Sequence, residues 1–205
     1  AFFRFYARHI ELDRSFKPGH YVLEPGMNVV QVARMLKLGL QTPVRVTINN
    51  VRTPAQLAGK LARQIEADSA TIVGALTDPA TARKAGFDSV TLFSMFIPDT
   101  YEFYWTVSPA QFIERMRREY DRFWTPQRDA KRQRSGLSRL EVMTLASIVY
   151  EETRQSDEMP RIAGVYINRL RKGWPLQADP TVKYALQEFG LRRIQIGRAS
   201  CRERV

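Results

Sequence analysis

The chain is poor in the residues on which metal, redox and disulfide chemistry depend: among 205 residues there is one cysteine, Cys201, and only two histidines, His9 and His20. A single thiol forms no intrachain disulfide, and two histidines far from the acidic residues, without ligand spacing, do not make a zinc site. GxSxG, P-loop and dinucleotide patterns are missing as well, so neither a metal nor a cofactor is expected. No run of about 20 apolar residues is present, so no segment reads as a membrane span. Internal repeats and low-complexity linkers are lacking too. Length and composition allow one or two domains with a real core.

What is abundant is positive charge. Lys and Arg number 32 against 21 Asp and Glu, a formal net charge of +11. Such a balance favours an anionic partner, and nucleic acid is the first to consider. The basic residues, however, are spread along the chain and alternate with acids in FIERMRREYDRF (residues 112–123), and no nucleic-acid motif appears. Nucleic acid is therefore not expected.

Local signals lay out an α+β chain. Residues 20–48 read as a strand, a turn at Glu24-Pro25-Gly26, a helix from about Asn28 to Leu38 stopped by Gly39, and a strand VRVTI at 44–48. Thr53 with Gln56 forms a capping box opening a helix whose Leu57, Leu61 and Ile65 face inward. Asp68 and Asp78-Pro79 start two short helices. Ser108 with Gln111 is another box, before a long helix carrying Phe112, Met116, Tyr120, Phe123 and Trp124 on one face, a stripe read as core. QRDAKRQRSG (residues 127–136) reads as a polar, basic connection.

The most informative stretch is ASIVYEET (residues 146–153), followed by INRL (167–170) and LQADPT (176–181). Ser138 and Glu141 make a capping box, and Val142, Leu145, Ala146 and Val149 recur at the spacing of a buried helical stripe. At about 100° per residue Glu152 projects between Leu145 and Ile148, at the border of that stripe, while Glu151 points away with Thr144 and Ser147. A carboxyl against apolar side chains has its charged form disfavoured, which suits a general acid. Glu152 is thus the candidate acid and Glu151 a solvated bystander. The ordinary alternative is a surface glutamate, or half of an ion pair with Arg154 or Arg161.

After Gly173, prolines on either side of LQAD force extended or turn backbone and leave Gln177 and Asp179 free to point into a cleft. Asp179-Pro180 also fits a plain helix start, with Asp179 as N-cap and Pro180 as the first helical residue.

Taken together, FIPDTYEFYW (96–105), ASIVYEET, VYINRL (165–170) and LQADPTVKYAL (176–186) resemble the MltG-type (YceG-like) endolytic murein transglycosylases. The resemblance covers nearly the whole chain to about Ile194. It implies that Glu152, the second glutamate of a pattern usually read ASIVEKET, is the catalytic residue; Tyr150 stands where the first glutamate of that pattern falls. It also implies the reaction: cleavage of the β-1,4 bond between N-acetylmuramic acid and N-acetylglucosamine in peptidoglycan without water, leaving a 1,6-anhydro end. Asn168 and Gln177 would bind acetamido or hydroxyl groups, with Asp99, Tyr101 and Asp179 lining or bracing the groove. Asn168 could equally be a helix-face amide satisfied locally, and residues 98–101 merely a turn into a strand.

The resemblance further implies a small LysM-like β-α-β module (residues 1–48, with an N-terminal remnant) before a mainly helical catalytic domain with short strands (residues 49–194). The partners expected are peptidoglycan glycan strands and cell-wall synthases. An N-terminal transmembrane helix, absent from these residues, would hold the catalytic part on the periplasmic side of the inner membrane. The alternative function is a non-catalytic peptidoglycan-binding or scaffolding module.

The chain reads as a piece cut at both ends. It begins without Met, inside an apolar run, and IGRASCRERV (residues 196–205) back-translates as ATC GGA AGA GCG TCG TGT AGG GAA AGA GTG, a sequencing-library adapter read in frame. Residues 195–205 are therefore expected to be an artefact, a natural basic tail being the alternative. Arg198, Arg202 and Arg204 stand there against Glu203, so without the tail the charge would be +9 rather than +11.

Overall fold

Short-range signals recur as helix ends in the computed structural model, which describes residues 2–191; the tail from residue 195, with Cys201, lies outside them. In chain order come α1 (Phe2–His9), α2 (Leu12–Ser15), α3 (Val29–Leu38), β1 (Val44–Ile48), α4 (Pro54–Leu61), α5 (Ser69–Thr77) and α6 (Pro79–Lys84). A 3-10 turn (Leu92–Met95), β2 (Asp99–Phe103) and α7 (Pro109–Phe123) follow, then α8 (Pro126–Ser135), α9 (Arg139–Glu152), α10 (Met159–Arg171) and α11 (Asp179–Leu186). The architecture is α+β and mainly helical, and the chain divides into two compact units, Ala1–Phe123 and Trp124–Val205.

In the first unit α3 starts and stops where expected: Gly39 takes the left-handed backbone that ends it, and its start is fixed by a reciprocal box of Asn28 and Gln31 not singled out from sequence. Asp68 and Asp78 accept from the first backbone N–H groups of α5 and α6. Ser108 and Gln111 bond each other's backbone N–H. Thr53 caps Gln56, but the Gln56 amide oxygen accepts from Arg52 N–H instead, one residue earlier than a reciprocal box requires.

The expected first strand of the LysM-like module is absent. Among the described residues, 20–23 have no ladder, only Thr42 N–H donating to the His20 carbonyl at 2.8 Å. β1 pairs instead with β2, antiparallel, Val46 opposite Tyr101 and Thr47 opposite Thr100. Strand pairing is decided by which face finds a core, and here Val46, Ile48, Tyr101 and Phe103 all bury theirs. The helices complete that core: Phe112 of α7 lies 5.2 Å from Phe103 and stacks on Phe96 at 5.8 Å, while Leu57, Leu61, Ile72 and Leu76 join α4 to α5. Each such side chain contributes about 1.5–3 kcal/mol by leaving water.

In the second unit, residues 127–136 are not a connection. They form α8, capped by Thr125, opened by Pro126 and closed by Gly136 at φ 77°. Asp129 ties this polar helix down, accepting from Arg132 at 3.0 Å and from Arg139 of α9 at 3.1 Å. The two guanidinium groups hold its carboxyl down at a pKa of about 2, Arg139 having the larger effect. Beyond it, α9 and α10 share a small core of Leu145, Ile148, Val149, Tyr166 and Ala178.

Candidate active site

The site grows from the end of α9. Ser138 and Glu141 close the expected capping box there, with Ser138 N–H 2.7 Å from the Glu141 carboxylate. Leu145, Ile148 and Val149 turn into the core, so the helix delivers Glu152, its last residue, at the rim of that core. Thr153 leaves helical geometry at φ −142°, which makes Glu152 the last residue of α9.

α10 supplies the partner. Its Tyr166, 6 % exposed, donates its hydroxyl to Glu152 Oε1 at 3.0 Å. Burial first, then the hydrogen bond and charge of Glu152, push the Tyr166 phenol up to about 12, so it is a donor at any working pH. Around this pair opens a cleft of about 390 Å³, walled by Ile162 and Val165 and bordered by Arg169, Gln177 and Asp179.

The loop before α11 is positioned by backbone. Arg169 Nη1 donates to the Leu176 carbonyl. Gln177 then takes the left-handed region at φ 51°, uncommon for a residue with a side chain, and Ala178 is buried. Asp179 is the first helical residue of α11 and not its cap; the N-cap is Ala178, whose carbonyl accepts from Thr181. Asp179 is thereby left to border the cleft.

Two expectations about the acids need correction. Glu152 is exposed, so the apolar enclosure expected around it is not there; the cleft beside it is open to solvent. Glu151 is the more covered of the two, with its side chain 27 % exposed and its carboxylate 3.9 Å from Arg154. The ion pair with Arg154 thus falls to Glu151.

The structure brings Glu152, Gln177 and Asp179 to one cleft. Asn168 is exposed on α10 and lines a neighbouring groove with Trp174. Asp99 and Tyr101 belong to β2 of the first unit. There the Tyr101 hydroxyl donates to the Ile97 carbonyl at 2.8 Å, and Asp99 accepts from Thr100 N–H. Tyr166 and Arg169 were missed from sequence, although both sit in VYINRL; a tyrosine in an apolar stripe reads as core, and only the crossing of α9 and α10 reveals its hydroxyl partner. Among the described residues no group of three His, Cys, Asp or Glu side chains could hold a metal, and no helix is long and apolar enough to cross a membrane.

The description of the YceG-like family matches residues 1–202. An endolytic murein transglycosylase of Bacillus subtilis (strain 168) is 24% identical over 198 residues, covering 89% of this chain and 55% of that protein. One from Streptococcus pneumoniae serotype 2 is 23% identical over 216 residues, covering 92% of this chain and 38% of that protein. The chain thus spans about half the length, or less, of these relatives. A crystal structure of a yceG-like protein from Listeria monocytogenes aligns with a TM-score of 0.67 at 26% identity, over 98% of this chain and 71% of that one.

Proposed function

This chain belongs to the YceG-like family, and we propose that it is the glycan-cleaving part of a murein lytic transglycosylase with Glu152 as its acid and base. The observation that carries this reading is the end of α9: a carboxyl held on one oxygen by a buried tyrosine, facing an open cleft lined by an amide and a second carboxylate.

Tyr166 engages Oε1, which leaves Oε2 to carry the proton. A glycan seated in the cleft displaces water from the carboxyl, and loss of water favours the neutral form. Glu152 gives its proton to the glycosidic oxygen as the bond from the muramyl anomeric carbon to that oxygen breaks. The carboxylate left behind takes the proton of the muramyl 6-hydroxyl as that oxygen bonds to the anomeric carbon and closes the 1,6-anhydro ring. The proton returns to Glu152 and no water is consumed, so one carboxyl serves both steps. Gln177 and Asp179 hydrogen-bond the sugar, and Asn168 binds it further along. The work takes place on the extracytoplasmic side of the inner membrane, where peptidoglycan lies, with an N-terminal anchor and cell-wall synthases as partners.

The test is to incubate the full-length protein with purified sacculi. Soluble anhydro-muropeptides are expected. Co-sedimentation with no release would instead support a binding or scaffolding module, and would sink the catalytic reading.

A further inference from the structure

Beside the cleft lies a second groove of about 200 Å³, lined by Val165, Asn168, Arg169, Lys172 and Trp174. It shares Val165 and Arg169 with the first, so one molecule can run through both. Its construction is specific. α10 ends in a double closure in which Gly173 N–H bonds the Leu170 carbonyl at 3.0 Å and Trp174 N–H bonds the Arg169 carbonyl at 2.9 Å. Gly173 makes that possible at φ 65°. The backbone therefore turns Trp174 back toward α10 although the residue is 58 % exposed. Lys172 Nζ sits 4.7 Å from the centre of that ring.

An indole offers an apolar face to the C–H side of a sugar, Asn168 offers an amide to its acetamido or hydroxyl groups, and Lys172 and Arg169 place two positive charges at the same place. Two cations and no acid line this groove, which favours a sugar bearing a carboxylate over a neutral one. Resting on the reading of the first cleft as the cleavage site, we propose that this groove is an adjoining glycan subsite in which Trp174 stacks on a sugar ring and Lys172, with Arg169, pairs a carboxylate on the muramyl arm. Two sources of that carboxylate exist: the peptide stem, or the lactyl group left when the stem has been removed.

The experiment measures binding in the full-length protein carrying Glu152→Gln, so that glycan is not consumed. The probes are soluble stem-bearing strands, amidase-stripped strands with free lactyl carboxylates, and an uncharged chito-oligosaccharide. Adding Trp174→Ala should weaken all three about tenfold. Gly173→Ala should do the same by turning Trp174 away, with its melting temperature recorded to account for local strain. Lys172→Met should weaken only the carboxylate-bearing strands, by about two- to fivefold, with the difference fading at high salt. Loss on one class of strand assigns the carboxylate to the stem or to the lactyl group; loss on both means that the groove takes either.

Parental affinity in Trp174→Ala overturns the subsite. So does a Lys172→Met variant that loses the uncharged sugar equally, or a parent that binds none of the three. The catalytic reading fails separately: strands bound through Trp174 and Lys172 while wild-type protein releases no product would keep the subsite and sink the cleavage.

Discussion

The two units bury their side chains differently. Among the described residues, the largest fully buried side chains, Phe112, Leu57, Leu61, Ile72, Leu92, Met95, Met116 and Val46, all belong to the first unit. Among the described residues of the second unit the buried cluster around α9 and α10 holds Leu145, Ile148, Val149, Tyr166 and Ala178, and all but Ala178 keep 5 % or more of their surface. The first unit is built to be stable. The second gives up depth for an open cleft, and its polar groups, Glu152, Tyr166, Gln177 and Asp179, lie where packing stops.

That contrast is broken most sharply by Glu152→Gln. Acid–base catalysis contributes about 10²- to 10⁴-fold, and in the proposed mechanism one group serves both steps, so activity on glycan should fall by the upper end of that range. The melting temperature should not fall, because Glu152 is exposed and no ion pair of it is broken; a destabilised variant would show that the site unit leans on this residue for its fold. Phe112→Ala should do the reverse: a cost of about 3–5 kcal/mol in stability by denaturant titration, with the chemistry of any remaining folded protein intact. If Ile148→Ala proved as costly, the claim of unequal cores would fail.

Smaller effects sharpen the comparison. Tyr166→Phe keeps the ring and removes the hydroxyl from Glu152, so kcat should drop by about tenfold with little change in melting. Tyrosine absorbance gives an independent readout. Burial, followed by Glu152, raises the Tyr166 phenol to about 12, whereas an unfolded tyrosine titrates near 10. Its contribution to stability is therefore complete below about pH 10 and lost as pH climbs through about 12. Tyr101 is also pushed up to about 12, by burial and then by Asp99, so late-titrating absorbance should diminish but not vanish in Tyr166→Phe.

How much of this was legible in the sequence follows the range of the forces. Caps are local, and Ser138–Glu141, Ser108–Gln111, Asp68 and Asp78 could be read from spacing alone, whereas the Asn28–Gln31 box reads from sequence only as a helix start. Helix α8 was hidden because its composition is charged throughout; the signals that mattered were Thr125-Pro126 before it and Gly136 after it, with Asp129 bridging to Arg139 across ten residues of chain. The strand expected at residues 20–23 failed because pairing is a tertiary choice, and β1 found β2 instead. Glu152 was singled out by helical projection and by resemblance. Its exposure, its tyrosine partner and the backbone of Gln177 depend on how α9, α10 and the loop before α11 meet, which no periodicity carries.

Asp129 offers a test at acid pH. Arg139 and Arg132 depress its carboxyl to about 2, against about 3.9 when unfolded, so its contribution is present above about pH 4 and is lost as pH falls through about 2. Asp129→Asn should flatten that part of the stability profile, and an unchanged profile would remove the clamp between α8 and α9 from the account. The smallest effect is expected of Glu151→Gln: Glu151 faces Arg154 and does not line the cleft, so turnover should stay within about threefold of the parent.

In the proposed mechanism a single carboxyl completes the cleavage without water. Digesting purified glycan strands with the full-length protein in heavy-oxygen water, and reading the new ends by mass spectrometry, addresses it directly. Every new muramyl end should be a 1,6-anhydro sugar, lighter than a reducing end by one water and free of the label. Reducing ends carrying one heavy oxygen would contradict it, because water and not the 6-hydroxyl would then have attacked the anomeric carbon.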